Sequence, residues 1–178
     1  MARRSAPFGR SLQKKTALAA RPPQGHSRFL GGDSANTNEV ANPMFTVIPI
    51  GHVSSSLVQR EDAPKQGHEG GPDSWLMFER EFEEGLRDLR TGEEILVLTW
   101  LDRGDREALS VHPRGDQSAS LRGVFSTRSP DRPNPVGIHR VRIVETESPT
   151  RFRVRDLEAL DGTPIIDVKP VLDHIKER

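Results

Sequence analysis

The sequence predicts a mainly β protein: a small, mostly antiparallel barrel with one clear helix, preceded by a disordered N-terminal arm. Three observations carry this expectation. Short β-branched and apolar runs recur along the chain, set off by Gly and Pro turns, and make about six or seven strands. A single stretch has helical spacing, and strands do not alternate with helices, which argues against a doubly wound parallel sheet. Two of the strands change phase partway, as β-bulges on a curled sheet do.

The elements follow in order. Residues 1–43 are rich in Arg, Ser, Ala, Gly, Pro and Asn and lack a hydrophobic period, so they are expected to be a disordered basic arm. The arm reads as a targeting peptide, as an RNA-touching arm, or as sequence upstream of a true start at Met44; the last is preferred, because Met44 directly precedes the first strand. The folded domain is then 44–178. Phe45 to Val53 forms that strand, with Pro49 placing it at an edge or bulge. A polar loop over 54–73 leads to a short apolar strand at Trp75–Phe78. A helix is expected from about Glu79 to Leu89, where Phe82, Leu86 and Leu89 share one face, with Gly92 as its stop. Ile95–Leu101 is a continuous apolar run, suited to a strand buried on both faces. A polar loop over 102–120 precedes a strand at Gly123–Thr127. The strands over 136–146 and 151–160 carry the phase slips, near His139-Arg140 and at Asp156. Asp161-Gly162 is a turn, and Thr163–Pro170 is the last strand.

Composition excludes several chemistries. Cysteine is absent, so disulfides, thiolate catalysis and cysteine-held metals are ruled out, and a reducing, cytoplasmic setting fits. The six histidines are scattered without metal-ligand spacing, so no metal is expected. No apolar run approaches a membrane span. The net charge is zero, yet the first 43 residues hold seven basic residues against two acids, which leaves the remainder mildly acidic. Net charge alone therefore gives no sign of a broad grip on nucleic acid. Phosphate-binding glycine motifs and a nucleophile elbow are missing.

Two segments carry the functional signal. The first is Thr127-Arg128-Ser129-Pro130-Asp131-Arg132-Pro133-Asn134-Pro135-Val136-Gly137. Its prolines fix φ and remove donors, so it is a stiff loop that holds Arg128, Arg132 and Asn134 in set directions. Such turns also serve merely to stop strands; arginines framed by prolines favour a binding role. The second is Asp161-Gly162-Thr163-Pro164-Ile165-Ile166-Asp167-Val168-Lys169-Pro170.

In this pair of blocks, in this order and near this spacing, the chain resembles the TrmO-like tRNA methyltransferases over about residues 44–173. The resemblance implies an S-adenosylmethionine-dependent enzyme that N6-methylates threonylcarbamoyladenosine next to the tRNA anticodon. It also implies a β-barrel in place of a dinucleotide-binding sheet, and a homodimer with the cofactor near the interface. By matching position, it puts cofactor contacts at Lys65, Gln66 and Gly67, at Leu101 and Asp102, at Arg128, at Ile138, and along Arg155, Asp156, Leu157 and Glu158. Arg128 suits a carboxylate, and Asp102 or Glu158 suits an ammonium or ribose hydroxyls. Asp161 and Asp167 are the candidate proton acceptors; Arg132, Asn134 and Lys169 are the candidate acceptor-substrate contacts. The chain departs from the family pattern at Val171 (usually tyrosine), at Lys65 (usually arginine) and at Leu101-Asp102. Two other readings stand beside this one: a methyltransferase of the same fold acting on a small molecule or another nucleobase, and a non-catalytic nucleotide-binding module.

Overall fold

The computed structural model describes residues 45–172 and the dipeptide 18–19. The expectation of a disordered arm over 1–43 and a start at Met44 otherwise lies outside the described residues. Strand β1 (Leu18–Ala19) pairs with β2 (Thr46–Val47), apart from the main sheet. The main sheet is a closed antiparallel barrel, as expected. Its strands are β3 (Gly51–Ser54), β4 (Ser74–Phe78), β5 (Glu94–Trp100), β8 (Val136–Ser148), β9 (Arg151–Arg155) and β10 (Pro164–Pro170), in the order β10-β3-β4-β9-β8-β5. A two-stranded ribbon, β6 (Ser110–Val111) with β7 (Arg122–Gly123), stands on the long excursion between β5 and β8.

Closure depends on β10. Its first residues pair with β3 (Ile165 with Gly51) and its later ones with β5 (Val168 with Val97), with a register shift between Ile165 and Asp167. A closed sheet has no free edge, so every strand is protected from pairing with another chain.

Several elements differ from the sequence reading. Pro49 does not merely kink a long strand: Ile48–Ile50 lies outside regular structure and separates β2 from β3. The helix is one short turn, α1 (Glu83–Leu86), preceded by a 3-10 turn at Arg80–Phe82, because Gly85 in its centre is a poor helix former. Its inward face is the expected one, with Leu86 buried and Phe82 and Leu89 half-buried. Gly92, at φ +96°, turns the chain into β5 six residues after α1 ends. In β5, Ile95, Val97 and Thr99 are buried while Leu96 and Leu98 are half-buried, so one face, not two, points into the core. The expected strand at Gly123–Thr127 is mostly a 3-10 turn, Val124–Ser126, and only Arg122–Gly123 pairs.

The phase slip at His139-Arg140 does not exist. Gly137, His139, Val141 and Ile143 all point inward, and Ile138 points out, 57% exposed. The real irregularities of β8 lie further on, between Ile143 and Glu145 and between Thr146 and Ser148. At Asp156 the strand ends, and Asp156 takes the left-handed conformation, φ +64°. The break in phase there marks an exit from the sheet.

The barrel interior has two unlike ends. Phe78, Leu86, Ile95, Val141, Ile143 and Phe152 belong to the buried apolar cluster, and Phe78 meets Phe152 edge-on with centroids 6.0 Å apart. Among the described residues the buried polar side chains are Ser74, Thr99, His139 and Thr163. The antiparallel order puts all four at one mouth, where β4 and β8 begin, β5 ends and β10 is about to begin.

Candidate functional site

That polar mouth opens into a cleft of about 880 Å³, within the size range of small-molecule sites. Its walls come from four places. They are the loop after β3 (Arg60, Pro64, Lys65, Gln66), the excursion from Leu101 to Arg132, the start of β8 (Val136 to His139), and the segment after β9 (Glu158, Ala159, Leu160) with Thr163.

The proline-framed loop is built by Arg132. Its Nε donates to the Ser129 carbonyl at 2.8 Å, and one terminal nitrogen donates to the carbonyls of Thr127 at 2.6 Å and Val124 at 3.1 Å. With three prolines nearby, backbone donors are scarce, so a guanidinium supplies them. Asp131 performs the companion task. It takes two hydrogen bonds from Arg60, at 3.0 and 2.8 Å, and one from the Asp105 amide at 2.8 Å, and so ties three loops together. Burial opposes ionisation of Asp131, but Arg60 and that amide outweigh it and hold the carboxyl below its ordinary range. Arg103 donates to the Val58 carbonyl at 2.8 Å, and Arg106 lies over Trp100 at 4.9 Å.

The floor of the cleft is more unusual. His139 is 5% exposed inside the barrel. Its Nε2 lies 2.8 Å from Thr99 Oγ1 and its Nδ1 lies 3.0 Å from Glu158 Oε1. The second approach is close but oblique and does not make an aligned hydrogen bond, so it acts as an electrostatic contact. Burial pushes the Glu158 carboxyl up; the His139 contact, with Arg128 beyond it, outweighs this and holds it below the usual carboxylate range. Two glycines make the arrangement possible by close approach. A Cβ on Gly137 would fall 2.4 Å from Thr99 Oγ1, and one on Gly67 would fall 1.9 Å from the Asp156 carbonyl oxygen and 2.9 Å from Glu158 Oε2.

The structure brings half of the residues singled out in the sequence to the cleft. Lys65, Gln66, Leu101, Asp102, Arg128, Ile138, Glu158 and Arg132 line the cleft. Gly67 lies behind its wall against Asp156, while Asp156 and Leu157 shape the turn that delivers Glu158. Arg155 is outside the cleft and faces Asp73 at 3.8 Å. Asp161, Asp167, Asn134 and Lys169 are also not among the lining residues. Asp161 accepts from the Ser55 amide at 3.0 Å and so fastens its own turn. Asp167 sits at the β10 register shift, accepts from the Val168 amide at 2.9 Å and pairs with Lys169 at 2.7 Å.

Sequence reading missed His139, Thr99, Arg60, Arg103, Arg114 and Arg122. A signal for His139 was present: Arg140 and Arg142 mark the outer face of β8, which puts 139, 141 and 143 inside. It also missed the local charge. Seven cations line the cleft (Arg60, Lys65, Arg103, Arg114, Arg122, Arg128, Arg132) against three acids (Asp102, Asp131, Glu158). The mildly acidic body conceals a basic site. Among the described residues there is no cluster of three or more His, Asp or Glu disposed to hold a metal, and no helix is long and apolar enough to cross a membrane.

A closed six-stranded barrel with a basic, loop-built cleft at one mouth is the class of protein that fold and site define. The chain belongs to the tRNA-methyltransferase O N-terminal domain family, whose match runs over residues 52–176. It is 42% identical over 132 residues to an S-adenosyl-L-methionine-binding protein of Archaeoglobus fulgidus, covering 72% of this chain and 93% of that one. It is 34% identical over 139 residues to a probable S-adenosyl-L-methionine-binding protein, VirR, of Rhizobium radiobacter, covering 75% and 78%. Among solved structures it is similar to TrmO from Pseudomonas aeruginosa, with a TM-score of 0.60 and 25% identity over 79% of this chain. It spans 62% of the length of that TrmO chain.

Proposed function

We propose that the protein is an S-adenosylmethionine-dependent methyltransferase that N6-methylates threonylcarbamoyladenosine beside the tRNA anticodon. The observation that carries this is the charge of the cleft, seven cations to three acids in a chain of zero net charge. A sulfonium cofactor does not call for that excess; a phosphate-bearing acceptor does. Family membership and the names of the relatives support the cofactor.

The residues present fit that cofactor. Arg128 offers a fork to a carboxylate, Glu158 offers acceptors to an ammonium or to ribose hydroxyls, and Leu101, Val136 and Ile138 offer an apolar wall to a purine. When bound, S-adenosylmethionine supplies a methyl group already activated on sulfur, and nitrogen takes it by in-line displacement. The task left to the chain is alignment and exclusion of water, which suits a loop stiffened by prolines and Arg132. The acceptor nitrogen loses a proton in the exchange. Asp102 is the cleft acid with no ion pair among the described residues, and in this reading it receives that proton. A cytoplasmic homodimer that covers exposed Leu109, Leu121 and Phe125 on the excursion belongs to the same proposal.

The test is an assay of the purified chain with S-adenosylmethionine and bulk tRNA that lacks only the methyl mark, read by nucleoside mass spectrometry. Methylated threonylcarbamoyladenosine is the expected product. Transfer to free nucleosides but not to tRNA would replace the acceptor with a small molecule. Failure to bind the cofactor in calorimetry would leave a non-catalytic module.

A further inference from the structure

We propose that His139 is a positioning residue, which sets the Glu158 carboxylate at the floor of the cleft to receive hydrogen-bond donors of the bound ligand. The inference rests on the reading of the cleft as the cofactor site.

A buried imidazole is costly unless its nitrogens are matched. Apolar packing does not require it, since Val141 and Ile143 continue the same inward row of β8. What it reaches is Thr99 on β5 and Glu158 on the segment after β9. The neighbouring carboxylate favours one tautomer of the neutral ring. A nitrogen that faces a carboxylate at 3.0 Å carries the hydrogen, so Nδ1 is the protonated one in the neutral ring. Nε2 is then an acceptor, and the Thr99 hydroxyl donates to it at 2.8 Å. Thr99 anchors the ring, and the ring sets Nδ1 beside Oε1 as a close but oblique electrostatic contact. Gly137, the register partner of Thr99, leaves the space that this contact needs.

Glu158 is bounded on its other sides as well. The backbone of Gly67 lies against Oε2, and Arg128 contributes its positive charge from the proline-framed loop. The titratable and charged groups that face Glu158 are therefore His139 from β8 and Arg128 from that loop. With Oε1 held from inside the barrel, the outward lone pairs are left for a ligand's ammonium or hydroxyl hydrogens. The same contact favours the ionised acid.

A double-mutant cycle on the full chain, read by calorimetry with S-adenosylmethionine, tests this. His139→Gln lacks a donor at the Nδ1 position and is expected to weaken binding about tenfold, a difference of about 1.4 kcal/mol. His139→Asn places an amide N–H near that position and is expected to stay within about threefold of the parent. In a Glu158→Gln background, His139→Gln is expected to cost nothing further. The parent protein loses affinity as pH falls and Glu158 takes up a proton. Because His139 favours the ionised form, its removal moves that loss to higher pH. Equal losses with and without Glu158, or an unmoved pH profile, would overturn the proposal. If His139→Gln does not fold, the cycle is run with Thr99→Val, which keeps the ring but frees it. A loss of about threefold, absent in the Glu158→Gln background, is then expected, and no loss overturns the assignment. A parent protein that binds no cofactor refutes the reading of the cleft itself, whereas a parent that binds and variants that bind equally refute only the role of His139.

Discussion

Gly137→Ala is the smallest change that reaches both the barrel and its cleft. The added methyl would lie 2.4 Å from Thr99 Oγ1 and 2.7 Å from His139 Nε2, two atoms that are bonded to each other at 2.8 Å. Both neighbours are buried, and Gly137 pairs directly with Thr99 across β8 and β5. The strands must separate or Thr99 must rotate away. Overpacking of a tight interior costs about 1–3 kcal/mol. Loss of the buried hydrogen bond adds about 1 kcal/mol. A total near 3 kcal/mol lowers the melting temperature of a domain of this size by about 10 °C. Thermal denaturation followed by circular dichroism measures it. Gly85→Ala is the matched control: no atom lies within 4 Å of its added methyl, its φ is not positive, and it stands in α1. It is expected to raise stability by about 0.5–1 kcal/mol. If Gly137→Ala melts within about 2 °C of the parent, the tight approach at the cleft floor is not real and the reasoning fails.

Two further predictions concern the loops. Arg132→Lys keeps the charge but cannot serve three carbonyls in one plane, and it is expected to cost the loop about 2 kcal/mol of local stability. Hydrogen exchange at the amides of Thr127 and Asp131 should then accelerate roughly thirtyfold, with the barrel's melting little changed; unaltered exchange would refute Arg132 as the internal support. Asp131 has a folded-state carboxyl below its ordinary range, so the stability it contributes is present above the unfolded value, about 3.9, and is lost as pH falls toward the folded value. Asp131→Asn should therefore be less stable than the parent near neutrality and lose less on acidification; parallel pH curves for the two proteins would refute the clamp.

The sequence revealed the β architecture because arginines and inward apolar residues alternate over β9, and because Gly and Pro turns set off many of the strands. It revealed the proline-framed loop of the cleft because prolines leave an unmistakable local pattern, while of the second block only Thr163 reaches the lining. It misplaced the inward row of β8, since Val136 and Ile138 look like core residues while His139 does not, yet position in the pleat outweighs side-chain type. The helix was overextended because Phe82, Leu86 and Leu89 keep one face even when regular helix covers a single turn. Arg60 with Asp131 was beyond reach: the partners are 71 positions apart, and no local pattern encodes a contact between loops. For Arg132, Asp161 and Asp167 the residues were visible but their bonds to nearby backbone were not, because composition and spacing do not show which carbonyl or amide a charged side chain meets.

Between Leu101 and Pro135 the chain buries Val124 and Pro135 fully and little else. This excursion is held by guanidinium forks, carboxylates and carbonyls, while the barrel beneath it is held by aliphatic contact. Solutes act differently on the two materials. Salt weakens ionic stitching and spares oil-like packing, so rising ionic strength is expected to soften the excursion before the cylinder.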